Sequence, residues 1–169
     1  KNFNLQFQHY SFLGWKHRLA PKQEEWSKFA VEQCLFIFCL RNPYSWLKAM
    51  HQEPYYDHYP KIKELSFEQF VQFSIEDYEN AIAMWNQKNA SYLRMAAEVP
   101  NSIMIPVEQF HAAQEIVHSD IQTILGQSEV PFIPMQDYVN GRGWHDEKEI
   151  ESSLAIPNLD QNIIELINA

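Results

Sequence analysis

The strongest constraint on the fold is a run of seven apolar residues, Cys34 to Leu40, which stops abruptly at Arg41-Asn42-Pro43. The run is too short to cross a bilayer, and its unbroken apolar character is typical of a strand covered on both faces of a parallel sheet. Proline is favoured in the first turn of a helix, because an N–H group there has no partner inside the helix. We therefore predict a strand, a turn at Arg41, and a helix from Pro43 to about His51.

The next segment has the pattern of a long amphipathic helix, or of two helices in series. Apolar residues recur at three- and four-residue steps from Phe67 to Ala96. Ser66 and Gln69 have the spacing of a capping box, in which each side chain bonds the backbone N–H of the other residue. Ser74 followed by Asp77 has a similar spacing, so we expect a second helix to begin there.

The remaining chain continues the alternation of strands and helices. Ser102 to Ile105 is a predicted strand, and Ala113 to Leu125 is a predicted helix with Gly126 as its C-cap. Asn158 to Ile167 is a predicted final helix. This order predicts one α/β domain over residues 1–169, with a parallel sheet flanked by helices. In such folds ligands bind at the carboxyl ends of the strands, where Arg41 is expected to lie.

Composition excludes several classes of partner. There are 13 Lys and Arg residues against 22 Asp and Glu residues, which gives a net charge of −9 at pH 7. Nonspecific nucleic-acid binding needs clustered basic side chains, so we expect no nucleic-acid partner. No stretch approaches the roughly 18 consecutive apolar residues of a membrane span. Cys34 and Cys39 point to opposite faces of the predicted strand and cannot pair with each other, and reduced thiols favour a cytoplasmic location.

The seven histidines do not form a recognisable metal motif. Neither a His-x-x-x-His spacing nor a paired-cysteine motif is present, and structural zinc sites are built from such clusters. We therefore predict no metal and interpret the histidines as ordinary solvated side chains.

Three segments share motifs with a known family. They are Gly14-Trp15-Lys16-His17 with Pro21, Cys34 to Leu40 followed by Arg41-Asn42-Pro43-Tyr44-Ser45-Trp46-Leu47, and Trp85 to Tyr92 followed by Pro100 and Ile105-Pro106-Val107-Glu108-Gln109-Phe110. They resemble the P-loop sulfotransferases, especially bacterial sulfotransferase-like proteins, over most of residues 11–126. The resemblance implies a P-loop NTPase-like sulfotransferase fold and 3′-phosphoadenosine 5′-phosphosulfate (PAPS) as the sulfuryl donor.

The resemblance also implies a set of nucleotide contacts. Arg41 matches the family arginine that binds the 3′-phosphate, and a guanidinium suits a phosphate at a helix N-terminus. The family serine that lies eight residues further on falls at Ala49, which has no hydroxyl, so Ser45 is a candidate replacement one turn earlier. Arg142, in Gly-Arg-Gly-Trp, is a candidate for the late segment that closes over the nucleotide, the alternative being an ordinary turn. Glu108 matches an acidic residue of the family, and we expect it to be structural.

His17 falls where the family has its catalytic base. The resemblance implies that His17 removes the acceptor's proton and that Lys16 faces the charge developing on the leaving group. Ser11 to Trp15 is a predicted strand, and without the resemblance a Lys-His pair after a strand is more often a solvated strand end than a catalytic pair. The acceptor is expected to be a small molecule, a lipid or a glycan, and the aromatic stretch from Pro54 to Pro60 is a candidate acceptor loop or a packed loop.

The family's Gly-rich phosphate loop has no counterpart among the four glycines. We expect that loop to be encoded upstream of Lys1, and we expect residues 1–169 alone to have no sulfotransferase turnover. Two alternatives stay open. One is a degenerate, nonenzymatic sulfotransferase-like binding module, favoured by Ala49, by Val107 where the family usually has tyrosine, and by the absent loop. The other is a P-loop nucleotide kinase, disfavoured because no predicted strand ends in a clear Asp for Mg²⁺.

Overall fold

The computed structural model describes residues 17–54, 60–127, 130–134 and 161–168. The predicted strand before Lys16, the aromatic loop over residues 55–59 and the segment around Arg142 lie outside these ranges. The described elements, in chain order, are α1 (Gln23–Trp26), a 3₁₀ turn (Val31–Gln33), β1 (Phe36–Leu40), α2 (Pro43–Gln52), a second 3₁₀ turn (Pro60–Glu64), α3 (Phe67–Val71), α4 (Ala81–Glu98), β2 (Ser102–Pro106), α5 (Val107–Leu125) and α6 (Gln161–Asn168).

The described sheet consists of two parallel strands. β1 pairs with β2 in a register that runs from Phe36 opposite Ser102 to Leu40 opposite Pro106. Parallel neighbours need a long crossover connection, and here α2, α3 and α4 provide it. The prediction of a mixed α/β architecture with parallel strands and flanking helices is confirmed at this level.

In the described part of the chain one face of β1 is partly exposed, contrary to the expectation that both faces are covered. Phe36 is buried in an apolar cluster, whereas Ile37 is 45% exposed and Cys39 is exposed. Successive side chains of a strand point to opposite faces. Phe36 and Phe38 pack with residues of α4, whereas the alternating residues Ile37 and Cys39 point to the opposite face of the strand. Both cysteines are free thiols, and Cys34 precedes the strand.

Two apolar clusters hold the described elements together. The first joins α2, the second 3₁₀ turn, α3 and the start of α4. The second joins the chain before β1 to β1 itself and to the end of α4. Among the described elements, α4 contributes to both clusters and so links them. The buried members of the first are Leu47, Met50, Ile62, Phe70, Val71, Ile75, Ala81 and Met84; those of the second are Ala20, Trp26, Val31, Phe36, Met95 and Val99.

The predicted boundaries of the central helices are partly correct. Ser66 and Gln69 form the expected capping box at the start of α3. The prediction that Ser74 starts the next helix is wrong, because its hydroxyl donates to the Tyr78 carbonyl within a tight turn. α4 begins only at Ala81, where the side chain of Asn80 accepts the N–H of Ala83.

The helix after β2 is longer than its apolar pattern indicates. α5 begins at Val107, directly after the strand, instead of at Ala113. Gly126 ends it in the left-handed conformation with φ of 62°, as predicted for a C-cap glycine. The final helix is described from Gln161 to Asn168, and its predicted start at Asn158 lies outside the described residues.

A lysine interrupts the buried face of α4. Lys88 is 6% exposed and lies between Met84 and Met95 along the helix. Its Nζ lies 5.9 Å from the centre of the Tyr78 ring, a cation–π distance. Burial lowers the pKa of Lys88 to about 8, although the carboxylate of Glu76 offsets part of this effect.

We expect Lys88→Met to stabilise the protein at pH 7 by roughly 1 to 3 kcal/mol, because the buried charge is removed. The folded protein releases the Lys88 proton near pH 8 and the unfolded chain near pH 10. Between these values the unfolded chain binds more protons, so stability should rise with pH in the native sequence and rise less in the variant. Urea unfolding from pH 7 to 9.5 measures both effects. Lys63→Met, at an exposed position, is the control, and a pH slope unchanged by Lys88→Met would contradict the assignment.

Candidate functional site

The turn between β1 and α2 is built by local sequence signals. Pro43 occupies the first turn of α2, and the Oδ1 atom of Asn42 accepts the N–H of Tyr44 at 2.9 Å. This N-cap ends the strand and starts the helix within three residues. Arg41 therefore lies at the carboxyl end of β1, next to the N-terminus of α2.

Glu108 connects this turn to the neighbouring strand. It lies in the first turn of α5, directly after β2, so the parallel pairing places it beside the end of β1. Its Oε1 atom accepts the backbone N–H of Asn42 at 2.9 Å and also accepts a hydrogen bond from the hydroxyl of Ser45. The same oxygen is 4.0 Å from the Nε atom of Arg41.

Ser45 lies between the two charged groups. The Nε–H of Arg41 donates to Ser45 Oγ at 3.2 Å, and the Ser45 hydroxyl in turn donates to Glu108. Ser45 is fully buried, whereas the side chains of Arg41 and Glu108 are 25% and 22% exposed. The hydroxyl therefore orients the guanidinium from inside, and an anion from solvent would meet Arg41 before it met Ser45.

The carboxylate of Glu108 already occupies donors that an anion at this helix N-terminus would use. It holds the Asn42 N–H and the Ser45 hydroxyl, and its negative charge lies beside the guanidinium. A phosphate at Arg41 would gain the attraction of the guanidinium and meet the repulsion of Glu108. The geometry therefore allows anion recognition centred on Arg41 but opposes deep insertion at the start of α2.

The side chain of Trp85 holds the same turn from α4. Its indole N–H donates to the carbonyl of Arg41 at 3.1 Å, while the amide of Asn89 donates to the Trp85 carbonyl at 2.7 Å. The peptide unit between Arg41 and Asn42 is thus bonded on both sides, through its C=O to Trp85 and through its N–H to Glu108.

The segment that contains His17 is also attached to α4. Tyr92 Oη donates to the carbonyl of Arg18 at 2.9 Å, and Ser91 Oγ accepts the N–H of Ala20 at 2.9 Å. Arg94 donates to the carbonyls of Ala20 and Pro21 at 3.1 and 3.2 Å. Three side chains of one helical stretch therefore fix the backbone just after His17.

The described contacts bring Arg41 and Ser45 together, whereas His17 lies in the separate segment fixed by α4. Ala49 is half-buried on α2, one turn after Ser45, and provides no hydroxyl. Lys16 and Arg142 lie outside the described residues.

The sequence pattern does not mark Trp85, Ser91, Tyr92 and Arg94 as site residues. Only the spacing of Trp85 and Tyr92 indicates a shared role, because two residues seven positions apart lie on the same face of a helix. That signal does not indicate what the face contacts.

The described residues contain no group of three or more His, Cys, Asp or Glu side chains arranged to hold a metal ion. His51 instead has a structural environment. Its Nε2 atom is 2.8 Å from the carbonyl of Leu65, and its ring packs against those of Phe67 and Phe70. Among the helices in the described ranges, none combines the length and the apolar content of a membrane span.

Comparison with known proteins gives no match to a family model, a curated protein or a solved structure. The structure itself shows an α/β arrangement. Its described part has a two-stranded parallel sheet, with a polar network at the carboxyl edge of that sheet.

We expect Glu108→Ala to destabilise the protein by roughly 1 to 3 kcal/mol, because it removes the acceptor of the Asn42 N–H and leaves the Ser45 hydroxyl only the Asn42 carbonyl, at 3.1 Å, as acceptor. Glu108→Gln keeps an acceptor oxygen and should cost less. Urea unfolding at pH 7 measures the loss. Glu115→Ala, at an exposed position of the same helix, is the matched control, and equal effects at the two positions would show that the network adds no stability.

Proposed function

We propose that this chain forms the donor-binding and catalytic part of a PAPS-dependent sulfotransferase, which transfers a sulfuryl group to a hydroxyl or amine of a small molecule, lipid or glycan. The observation that carries the proposal is the position of Arg41, a partly exposed guanidinium at the carboxyl end of a parallel strand and beside a helix N-terminus. Ligands of α/β folds bind at this edge, and guanidinium groups suit phosphate.

In this proposal Arg41 binds the 3′-phosphate of the nucleotide. Ser45 acts through Arg41, since its buried hydroxyl fixes the guanidinium. Ala49 provides packing without the family's hydroxyl contact, and Arg142 is the proposed closing contact over the nucleotide.

The proposed chemistry transfers one group and one proton. The acceptor oxygen or nitrogen forms a bond to sulfur while the bond between sulfur and the 5′-phosphate oxygen breaks. His17 takes the proton from the acceptor, and Lys16 stabilises the negative charge that develops on the leaving phosphate. Transfer of this kind passes through a loose, in-line transition state, so positioning and charge stabilisation supply most of the rate.

The second candidate is a nonenzymatic member that binds a phosphorylated nucleotide without transferring a group. The missing hydroxyl at Ala49 and the carboxylate of Glu108 beside Arg41 favour it. The two candidates differ in a single measurement, the release of 3′-phosphoadenosine 5′-phosphate from PAPS in the presence of acceptors.

Arg41→Ala should weaken binding of 3′-phosphoadenosine 5′-phosphate by roughly ten- to a hundredfold and leave adenosine 5′-phosphate almost unaffected, because only the first ligand has the 3′-phosphate. Calorimetry on the full-length protein measures both affinities. Arg41→Lys keeps the charge but loses the planar guanidinium. Its affinity for 3′-phosphoadenosine 5′-phosphate should lie between those of the unsubstituted protein and of Arg41→Ala. If the ratio of the two affinities does not change, Arg41 does not bind the 3′-phosphate.

His17→Ala should lower kcat by ~10²- to 10⁴-fold in the full-length protein while nucleotide affinity changes little, because a general base acts on the acceptor and not on the bound nucleotide. Steady-state kinetics and calorimetry on the same preparations give the two numbers. Parallel losses in kcat and affinity would instead make His17 a structural or nucleotide-contacting residue.

A further inference from the structure

One face of α4 contacts both segments that the proposed function uses. Trp85 bonds the turn at Arg41, and Tyr92 bonds the backbone beside His17. These two residues are seven positions apart, so they lie on the same face of α4 and are separated by about 10 Å along its axis.

Tyr92 fixes the His17 segment to the sheet. Its ring lies 6.2 Å from that of Phe38 on β1, centre to centre, and its hydroxyl donates to the carbonyl of Arg18. The ring is thus held by the strand while the hydroxyl holds the segment. Replacing tyrosine with phenylalanine removes the second contact and keeps the first.

Trp85 fixes the direction of the peptide unit that follows Arg41. Its indole N–H bonds the carbonyl of that unit, whose N–H on the opposite side donates to Glu108. Loss of the indole N–H would leave this peptide unit held on one side only, by Glu108, and the backbone from which the Arg41 side chain extends would be less firmly oriented.

We propose that Trp85 and Tyr92 are positioning residues, and that α4 acts as a brace which fixes the separation between the His17 segment and the Arg41 turn. The consequence for catalysis rests on the proposed function, whereas the bracing itself does not. Each residue is assigned to one segment, so the two substitutions should have different effects.

In the full-length protein, Trp85→Phe should weaken 3′-phosphoadenosine 5′-phosphate binding by about three- to tenfold, since one hydrogen bond positioning Arg41 is lost. Tyr92→Phe should lower kcat by a similar factor without changing that affinity, because it loosens only the His17 segment. Tyr78→Phe is the matched control, because it also removes one tyrosine hydroxyl, at a position just before α4. It should change neither the nucleotide affinity nor kcat. Equal changes in affinity and kcat for both variants would overturn the assignment.

Amide hydrogen exchange tests the brace without any nucleotide. The N–H of Ala20 bonds Ser91 and the N–H of Asn42 bonds Glu108, so each reports on one segment. Tyr92→Phe should accelerate exchange at Ala20 several-fold and leave Asn42 unchanged, and Trp85→Phe should do the reverse. Acceleration of both amides by both variants, or of neither, would refute the brace. If exchange behaves as expected but the unsubstituted protein neither binds the nucleotide nor transfers a group, only the proposed function fails.

Discussion

The parallel pairing of β1 with β2 is the constraint on which the described structure depends. Because both strands run in the same direction, the turn after β1 and the helix after β2 meet at one edge of the sheet. Glu108 joins them there by accepting the N–H of Asn42 and the hydroxyl of Ser45. A shift of one residue in the register would move Glu108 away from both donors and separate the two junctions.

α4 is the second organising element, because it packs along one face of the strands and belongs to both apolar clusters. Its buried face includes Lys88, whose charge opposes folding at neutral pH through the loss of hydration. The same helix makes hydrogen bonds to the turn at Arg41 and to the segment after His17. Stability and the geometry of the proposed site therefore depend on one helix.

The candidate site contains two opposing electrostatic features. The guanidinium of Arg41 and the N-terminus of α2 attract an anion. The carboxylate of Glu108 opposes it, because it already accepts the Asn42 N–H and lies beside the guanidinium. Paired in this way, Glu108 reduces the cost of keeping Arg41 partly buried before any ligand binds. The same pairing lowers the affinity that an anionic ligand can reach, and it is the physical basis for weighing the nonenzymatic candidate beside the transferase.

The sequence by itself determined the features whose contacts lie within a few residues. The helix start at Pro43, the capping box at Ser66 and the C-cap at Gly126 are such features, and each was predicted correctly. The parallel strands followed from the order of elements and the apolar run that ends at Leu40. Part of the candidate site could also be predicted from the sequence, because the local pattern assigned Arg41 to the carboxyl end of a strand.

Only the tertiary structure decided which distant groups meet. It placed Glu108 on Ser45, Trp85 on Arg41 and Tyr92 on the His17 segment, contacts that join residues more than forty positions apart. It also left Ile37 exposed, because the neighbouring elements, and not the strand's own residues, decide which face of the strand is covered. Capping and periodicity act between near neighbours along the chain, whereas these contacts depend on how whole elements pack, which no local pattern specifies.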